Sequence, residues 1–398
     1  MLPPMLWSEH PGPSSPAQGA EFAARVLGAL TDNPGTWSRT VMFQVFDEND
    51  GMFDHMPPPA PPSFHADGTV AGGATLKLEG EYFSDPERKH LHPEDVISGT
   101  VRPWGLGPRV PMYVISPWSR GGWINSQVFD HTSVGQFLEK RFGVTIPAIS
   151  PWHRAVCGDM TSAFDFVSPN DPNVPALPDT RGSATLVAMA MKLPRPVPPN
   201  EPEGLFQEQG ARPSRALPYV FVVDATVTGH GVGLTFRSLG AAGGVLHVYD
   251  KRHPDRIPRR YTVEAGKGLT DRWDFAADGG YDLWAIGPNG FLREFKGTGA
   301  QAGIEVSLRD VPQARAVKLT FNNEQVARRT ASLSSSVYEP KRSRNLVLKP
   351  GSTFLIMEVA KSGDWYDLRV DAPGFARRFA GRVETGRNSV SDPVMGIG

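Results

Sequence analysis

Tyr281-Asp282-Leu283, followed after three residues by Gly287-Pro288-Asn289-Gly290-Phe291-Leu292-Arg293-Glu294-Phe295-Lys296-Gly297, is the stretch on which the fold turns. It recurs as Tyr366-Asp367-Leu368 with Pro373-Gly374-Phe375-Ala376-Arg377-Arg378-Phe379-Ala380-Gly381, 85 positions on with a one-residue gap. Each copy also carries alternating runs between Gly and Pro turns, Val245-Leu246-His247-Val248-Tyr249 in the first and Ala316-Val317-Lys318-Leu319-Thr320-Phe321 in the second. Alternation is the signature of half-buried strands. The spacing predicts two tandem β-sandwich modules, residues 216–300 and 301–386, with a short tail at 387–398.

Upstream of the repeats, Pro169 to Pro218 holds nine internal or flanking prolines from Pro172 to Pro213 and reads as an extended linker, placed at 171–215. Residues 1–170 have a different rhythm. Ala20, Phe22, Ala23, Val26, Leu27 and Leu30 recur at helical spacing before the stop Thr31-Asp32-Asn33-Pro34-Gly35. Thr40 to Phe46 is a β-branched and aromatic run that ends in Asp47-Glu48-Asn49-Asp50-Gly51, so a buried strand is expected to deliver acids at its carboxyl end. Val110 to Ser116 reads as a second short strand and Ser133 to Phe142 as a helix. This order predicts an α/β layer with a parallel sheet, whose ligand site lies at the strands' carboxyl ends.

Composition narrows the classes. With 39% hydrophobic and 21% charged residues, 9 Trp and 21 Phe, general disorder is excluded. Glycine at 42 and proline at 38 argue against a helical bundle. A single cysteine, Cys157, excludes disulfide scaffolds and thiolate zinc modules. No window reaches the ~18 apolar residues that span a bilayer, and Met1 to His10 lacks the basic and apolar regions of an export signal. A soluble chain with no transmembrane segment is expected. The net charge of -1 conceals a split. Residues 1–210 hold 14 Lys+Arg against 23 Asp+Glu, and residues 211–398 hold 27 against 19. An acidic metal or substrate domain joined to a module near anionic surfaces fits that split, as do two independently solvated surfaces.

Three clusters could carry chemistry. Asp47 and Glu48 are adjacent carboxylates, which lie close together at low cost only with a cation or arginine between them, so they are candidate metal ligands. A helical calcium hand is excluded, because its twelfth position counted from Asp47 is Pro58. His10, in Ser8-Glu9-His10-Pro11-Gly12-Pro13-Ser14-Ser15, precedes a helix start whose free amides suit a phosphate. In Ser116-Pro117-Trp118-Ser119-Arg120-Gly121-Gly122-Trp123, Arg120 could meet an anion and Trp118 or Trp123 a quaternary ammonium. Asp130-His131 before a helix could be an oriented base, or Asp130 could simply cap that helix while the tryptophans pack the domain. Glycine-rich phosphate loops and the Gly-x-Ser-x-Gly elbow are absent from the sequence.

Taken in order, these blocks resemble the bacterial phosphocholine-specific phospholipase C family, in the acid-phosphatase-like branch of the alkaline phosphatase superfamily. Asp47-Glu48-Asn49-Asp50-Gly51 through Asp54-His55, Phe129-Asp130-His131-Thr132-Ser133 and Ile149-Ser150-Pro151-Trp152 all resemble family blocks, and the paired repeats resemble its tandem accessory domains. The resemblance implies an α/β domain with a partial alkaline-phosphatase-like parallel sheet, followed by two all-β sandwich-like repeats. It implies a divalent metal ion (calcium, zinc, iron or magnesium) held by Asp47 and Glu48, His10 and His131 as catalytic histidines, and Trp118, Arg120 and Trp123 at the substrate. It also implies export by a twin-arginine route to the periplasm or outside.

The resemblance is to the C-terminal portion of the family, without the first strand's metal motif or the hydroxyl nucleophile. A truncated chain is therefore expected to expose a sheet edge and to need an N-terminal partner fragment. The implied activity is hydrolysis of phosphatidylcholine or sphingomyelin at a membrane surface to phosphocholine and diacylglycerol or ceramide, with no role for nucleic acid. The alternatives are a non-catalytic lipid- or partner-binding remnant and an acid phosphatase acting on phosphomonoesters.

Overall fold

The computed structural model describes residues 1–49, 56–65, 67–84, 101–168, 170–201, 208–301, 303–335, 337–338 and 341–395. The N-terminal layer runs α1 (Pro16–Thr31), α2 (Pro34–Trp37), β1 (Met42–Val45), β2 (Ser63–Phe64), β3 (Val70–Ala74), β4 (Tyr82–Ser84), β5 (Val101–Pro103), β6 (Met112–Ile115), α3 (His131–Phe142), α4 (Pro151–Val156) and α5 (Ser183–Ala190). The expected helices and strands are present, and α1 starts where Ser15 accepts a hydrogen bond from the Gln18 amide. The expected parallel sheet is not. β1 and β6 pair antiparallel, Met42 opposite Ile115 and Val45 opposite Met112, and β1 is half-buried rather than buried. The connection between them carries no crossover helix among the described residues, so nothing forces the returning strand to run parallel.

The proline-rich linker also differs from expectation, because it contains α5. Glu21 of α1 accepts hydrogen bonds from the Ser183 amide (3.1 Å) and hydroxyl (2.5 Å) at the first turn of α5. A carboxylate there satisfies donors that the helix itself leaves unpaired. The Ser183 hydroxyl first, then Arg25 and the Ser183 amide, hold Glu21 below its usual carboxylate range, against the opposing effect of burial.

After β7 (Pro213–Ser214) come two modules of seven strands each. The first holds β8 (Phe221–Val227), β9 (Gly231–Ser238), β10 (Gly244–Asp250), β11 (Arg259–Val263), β12 (Gly268–Asp274), β13 (Gly280–Ile286) and β14 (Leu292–Thr298). The second holds β15 (Ile304–Val311), β16 (Ala316–Asn323), β17 (Arg329–Ser335), β18 (Arg342–Leu348), β19 (Gly351–Glu358), β20 (Trp365–Ala372) and β21 (Phe375–Arg382). Each is a sandwich with a three-stranded sheet, β12-β9-β8 or β15-β16-β19, over a four-stranded one. The tail's β22 (Ser389–Val390) folds back onto β7.

The modules are not separate beads, because β14 pairs antiparallel with β21 and fuses their larger sheets. The repeated residues meet there. Arg293 donates to the Tyr366 hydroxyl (2.9 Å) and the Ala380 carbonyl (2.8 Å). Arg377, its repeat equivalent, donates to the Tyr281 hydroxyl (2.8 Å) and the Lys296 carbonyl (3.0 Å). Each guanidinium also lies near a ring from the other copy, Arg293 at Phe379 and Arg377 at Phe295. The repeat is thus a two-fold interface written within one chain, each copy supplying the tyrosine for the other's arginine. Arg377 is 1% exposed, and its burial is tolerable because carbonyls, a hydroxyl and ring faces surround its donors.

The N-terminal layer is joined to the first module. β3 runs parallel to β11, extending the fused sheet to ten strands ending in β2. Gly72 makes that approach possible, since a Cβ there would lie 1.9 Å from the Arg260 carbonyl oxygen. The Trp152 indole donates to the Thr262 hydroxyl (3.0 Å), and Trp152, Val156 and Cys157 close over Val245.

Candidate functional site

Asp47 and Glu48 follow β1 directly, as the sequence expects, and both are exposed. Phe43 anchors the strand beneath them by packing edge-on against Phe137 of α3 (5.0 Å) and against Phe164 (6.2 Å). His131, the first residue of α3, reaches the same end. Its Nε2 donates to the Phe46 carbonyl, 2.9 Å away. A carbonyl can only accept, so Nε2 carries a proton. Asp130 does not orient that ring. It caps α3 reciprocally with Ser133, its Oδ1 accepting from the Ser133 amide (3.2 Å) while the Ser133 hydroxyl accepts from the Asp130 amide (3.1 Å).

The Ser116 to Trp123 block lies at the other end of the strand pair. It follows Ile115, which is opposite Met42, whereas the acids follow Val45, which is opposite Met112. Four strand residues separate the two ends by ~13 Å. Ser119 donates to the Val114 carbonyl (2.8 Å), and the Ser116 hydroxyl accepts from the Trp118 amide (3.1 Å), so the hydroxyls build the turn. Arg120 is ion-paired with Asp171. Trp123 has the Arg215 guanidinium 4.4 Å over its ring, and Ile124 beside it bridges to Ser214. The structure thus gives Arg120 and Trp123 partners of their own, while Trp118 packs on Phe166 (5.8 Å).

His10 is exposed in the loop before α1. Its ring Nδ1 lies 3.2 Å from the Gly12 carbonyl, to which it donates. The loop is shaped by Ser14, whose hydroxyl accepts from the Glu9 amide (3.0 Å), and the Glu9 carboxyl is raised by burial. Asp54 and His55 lie outside the described residues.

One polar cluster escaped the sequence reading. His153 lies between Asp130 (3.5 Å from Nε2) and the buried Glu81 (3.8 Å from Nδ1), with the Ser150 hydroxyl 2.9 Å from Nδ1. Ser150 is occupied as the cap of α4, accepting from the His153 amide (3.2 Å). Burial pushes the neighbouring Cys157 thiol well up, with Asp130 adding to the effect, so that thiol is inert. The Ser-Pro-Trp-His order signals a helix start but not a contact with Glu81, 72 positions away.

Among the described residues no group of three His, Cys, Asp or Glu side chains is arranged to hold a metal ion. Asp47 and Glu48 offer hard oxygen donors with no ion pair among the described residues, but two carboxylates are fewer than the four to eight ligands such ions take. The described residues therefore do not by themselves form a complete metal centre.

Residues 1–145 match the Phosphoesterase family, and residues 213–298 and 304–382 each match the bacterial phospholipase C C-terminal domain. The first match covers the layer that bears the acids, and the other two fall on the two sandwiches. A phosphoesterase layer carried on paired β modules is thus the class of molecule. The non-hemolytic phospholipase C of Pseudomonas aeruginosa is 46% identical over 412 residues, covering 100% of this chain and 58% of that protein. The non-hemolytic phospholipase C of Burkholderia pseudomallei is 42% identical, covering 98% of this chain and 56% of that protein. The hemolytic phospholipase C of Pseudomonas aeruginosa is 37% identical across 100% of this chain and 57% of that protein. The chain carries a Phosphoesterase-family segment and the paired C-terminal domains of bacterial phospholipases C, and it spans somewhat more than half the length of these relatives.

Proposed function

We propose that the protein acts in phospholipase C chemistry, the hydrolysis of a choline phospholipid, phosphatidylcholine or sphingomyelin, to phosphocholine and the lipid alcohol. The observation that carries this reading is the similarity to a non-hemolytic phospholipase C along the whole chain, phosphoesterase layer and both modules in the same order. Asp47 and Glu48 would supply two carboxylates to a divalent ion, which would neutralise the phosphoryl oxygens and make a hydroxyl more nucleophilic. His131, fixed by its bond to the Phe46 carbonyl, leaves Nδ1 as the base that takes a proton from the attacking hydroxyl. His10 is the phosphoryl contact.

Among the described residues no helix is long and apolar enough to cross a membrane. A protein that meets its lipid outside the cytoplasm, secreted or periplasmic, is the matching location. The test is turnover of a soluble choline phosphodiester against a phosphomonoester, with divalent metal supplied. Preference for the diester supports the reading, and preference for the monoester overturns it in favour of a phosphatase.

A further inference from the structure

The internal repeat allows each surface position of one module to be judged against its twin. In the first module the outward face of β12 is polar. Thr270 shares a hydrogen bond with Thr235 (3.0 Å) and Arg272 bonds Asp274 (2.8 Å). Thr270 lies opposite Thr235 and Arg272 opposite Gly233; in the second module Phe354 lies opposite Thr320 and Ile356 opposite Lys318. The twins of Thr270 and Arg272 are thus Phe354 and Ile356, which are 57% and 56% exposed on one face of an outer strand. Thr262, buried under Trp152, has as its twin Val347, which is 58% exposed but on the outer face of the other sheet, away from Phe354 and Ile356. The edge strand β11 is covered by β3, but its twin β18 ends the ten-stranded sheet with no neighbour among the described residues.

That rim is also cationic. Residues 316–361 carry eight Lys and Arg against three Asp and Glu. Arg328, Arg342, Arg344 and Lys349 are exposed, with no carboxylate partner among the described residues. The Lys318 ammonium lies 4.5 Å from the Phe354 ring centre, so charge and apolar surface meet at one point.

We propose that this rim of the second module, led by Phe354 and Ile356 and flanked by Arg342 and Arg344, docks onto an anionic phospholipid surface. Apolar side chains ringed by lysine and arginine match a bilayer, with acyl carbon below and phosphate beside it. A protein strand is the poorer occupant, since arginine and lysine along an edge oppose strand addition. The choice of lipid rests on the phospholipase reading, and the site is about the platform that presents the phosphoesterase layer to its substrate.

The experiment is co-sedimentation of the full chain with vesicles of phosphatidylcholine alone and with added phosphatidylglycerol, across a salt series. Binding should favour the anionic vesicles and weaken with salt. Phe354→Ser with Ile356→Ser should weaken it by about tenfold or more, because both apolar side chains lose their place in the lipid. Arg342→Glu with Arg344→Glu should remove the anionic preference, and Thr270→Ala on the twin face should change nothing. Unchanged binding by the first double variant overturns the proposal. A dimer in sedimentation velocity that the same substitutions dissociate also overturns it, in favour of a second copy. Turnover of a soluble choline phosphodiester is read in parallel. If it is absent while the binding loss persists, the reaction reading fails and the docking surface stands.

Discussion

Among the described residues, forty buried apolar side chains belong to residues 213–383 and ten to residues 1–212. The two modules thus hold two full cores sealed together by Arg293, Arg377 and their tyrosines, whereas the N-terminal layer is thin. Three of its buried side chains, Trp152, Val156 and Cys157, pack on Val245 of the first module. The layer bearing the acids leans on the modules for its order, while β3 and Trp152 cover one edge of the first module in return.

The largest effect should come from cutting the molecule there. Residues 213–395 alone should give a β-type circular dichroism spectrum and one cooperative thermal transition, because a strand pair joins their cores. Residues 1–212 alone should melt without cooperativity. Two well-separated transitions in the module fragment would break the comparison.

Single residues sharpen it at a few kcal/mol. Arg293→Ala and Arg377→Ala should each destabilise the module transition by about 3–5 kcal/mol, and nearly equally because their surroundings are twins. Trp152→Ala should cost a similar ~3–5 kcal/mol, felt only in the N-terminal layer. Urea unfolding with thiol labelling separates the two cases. The buried Cys157 should become reactive early in the tryptophan variant and stay protected in the arginine variants.

A smaller effect distinguishes two buried groups by pH. Burial pushes His247, 3% exposed, down to about 3 from its ordinary 6.5, with Arg260 adding to the shift. Between those values the unfolded chain holds the extra proton, so the contribution of His247 is full above 6.5 and lost as pH falls. Burial raises Asp310 to about 6 from 3.8, so its contribution has the opposite sign and is lost as pH rises through that window. His247→Gln should flatten the acid-side loss by up to about 1.4 kcal/mol per pH unit, and Asp310→Asn should steepen it. Stability curves at a series of pH values check both signs. Smallest is the loss of the α1 cap, with Ser15→Ala costing ~1 kcal/mol.

The same contrast governs what the sequence discloses. Tyr281, Arg293, Tyr366 and Arg377 all stand in the repeated stretch, so the sandwiches are legible, but partners chosen from the opposite copy become visible only once β14 meets β21. Asp130 and Ser133 are a helix cap at the spacing of any other, and Asp47 and Glu48 emerge at a strand end as read. The direction of β6 against β1 was not legible, because strand direction depends on the route of the long segment between them. α5 was hidden by flanking prolines, and the carboxylate that caps it comes from position 21 rather than from its own segment.

On the proposed function, the chemistry belongs to the thin layer and the platform to the modules. Phosphocholine release from phosphatidylcholine, measured for the full chain, for Asp47→Ala and for residues 213–395 with divalent metal supplied, tests it most directly. The expected result is release by the full chain, at least about a hundredfold less from the folded Asp47→Ala variant, and none from the modules. Release that survives Asp47→Ala, or none from the folded full chain, would contradict it.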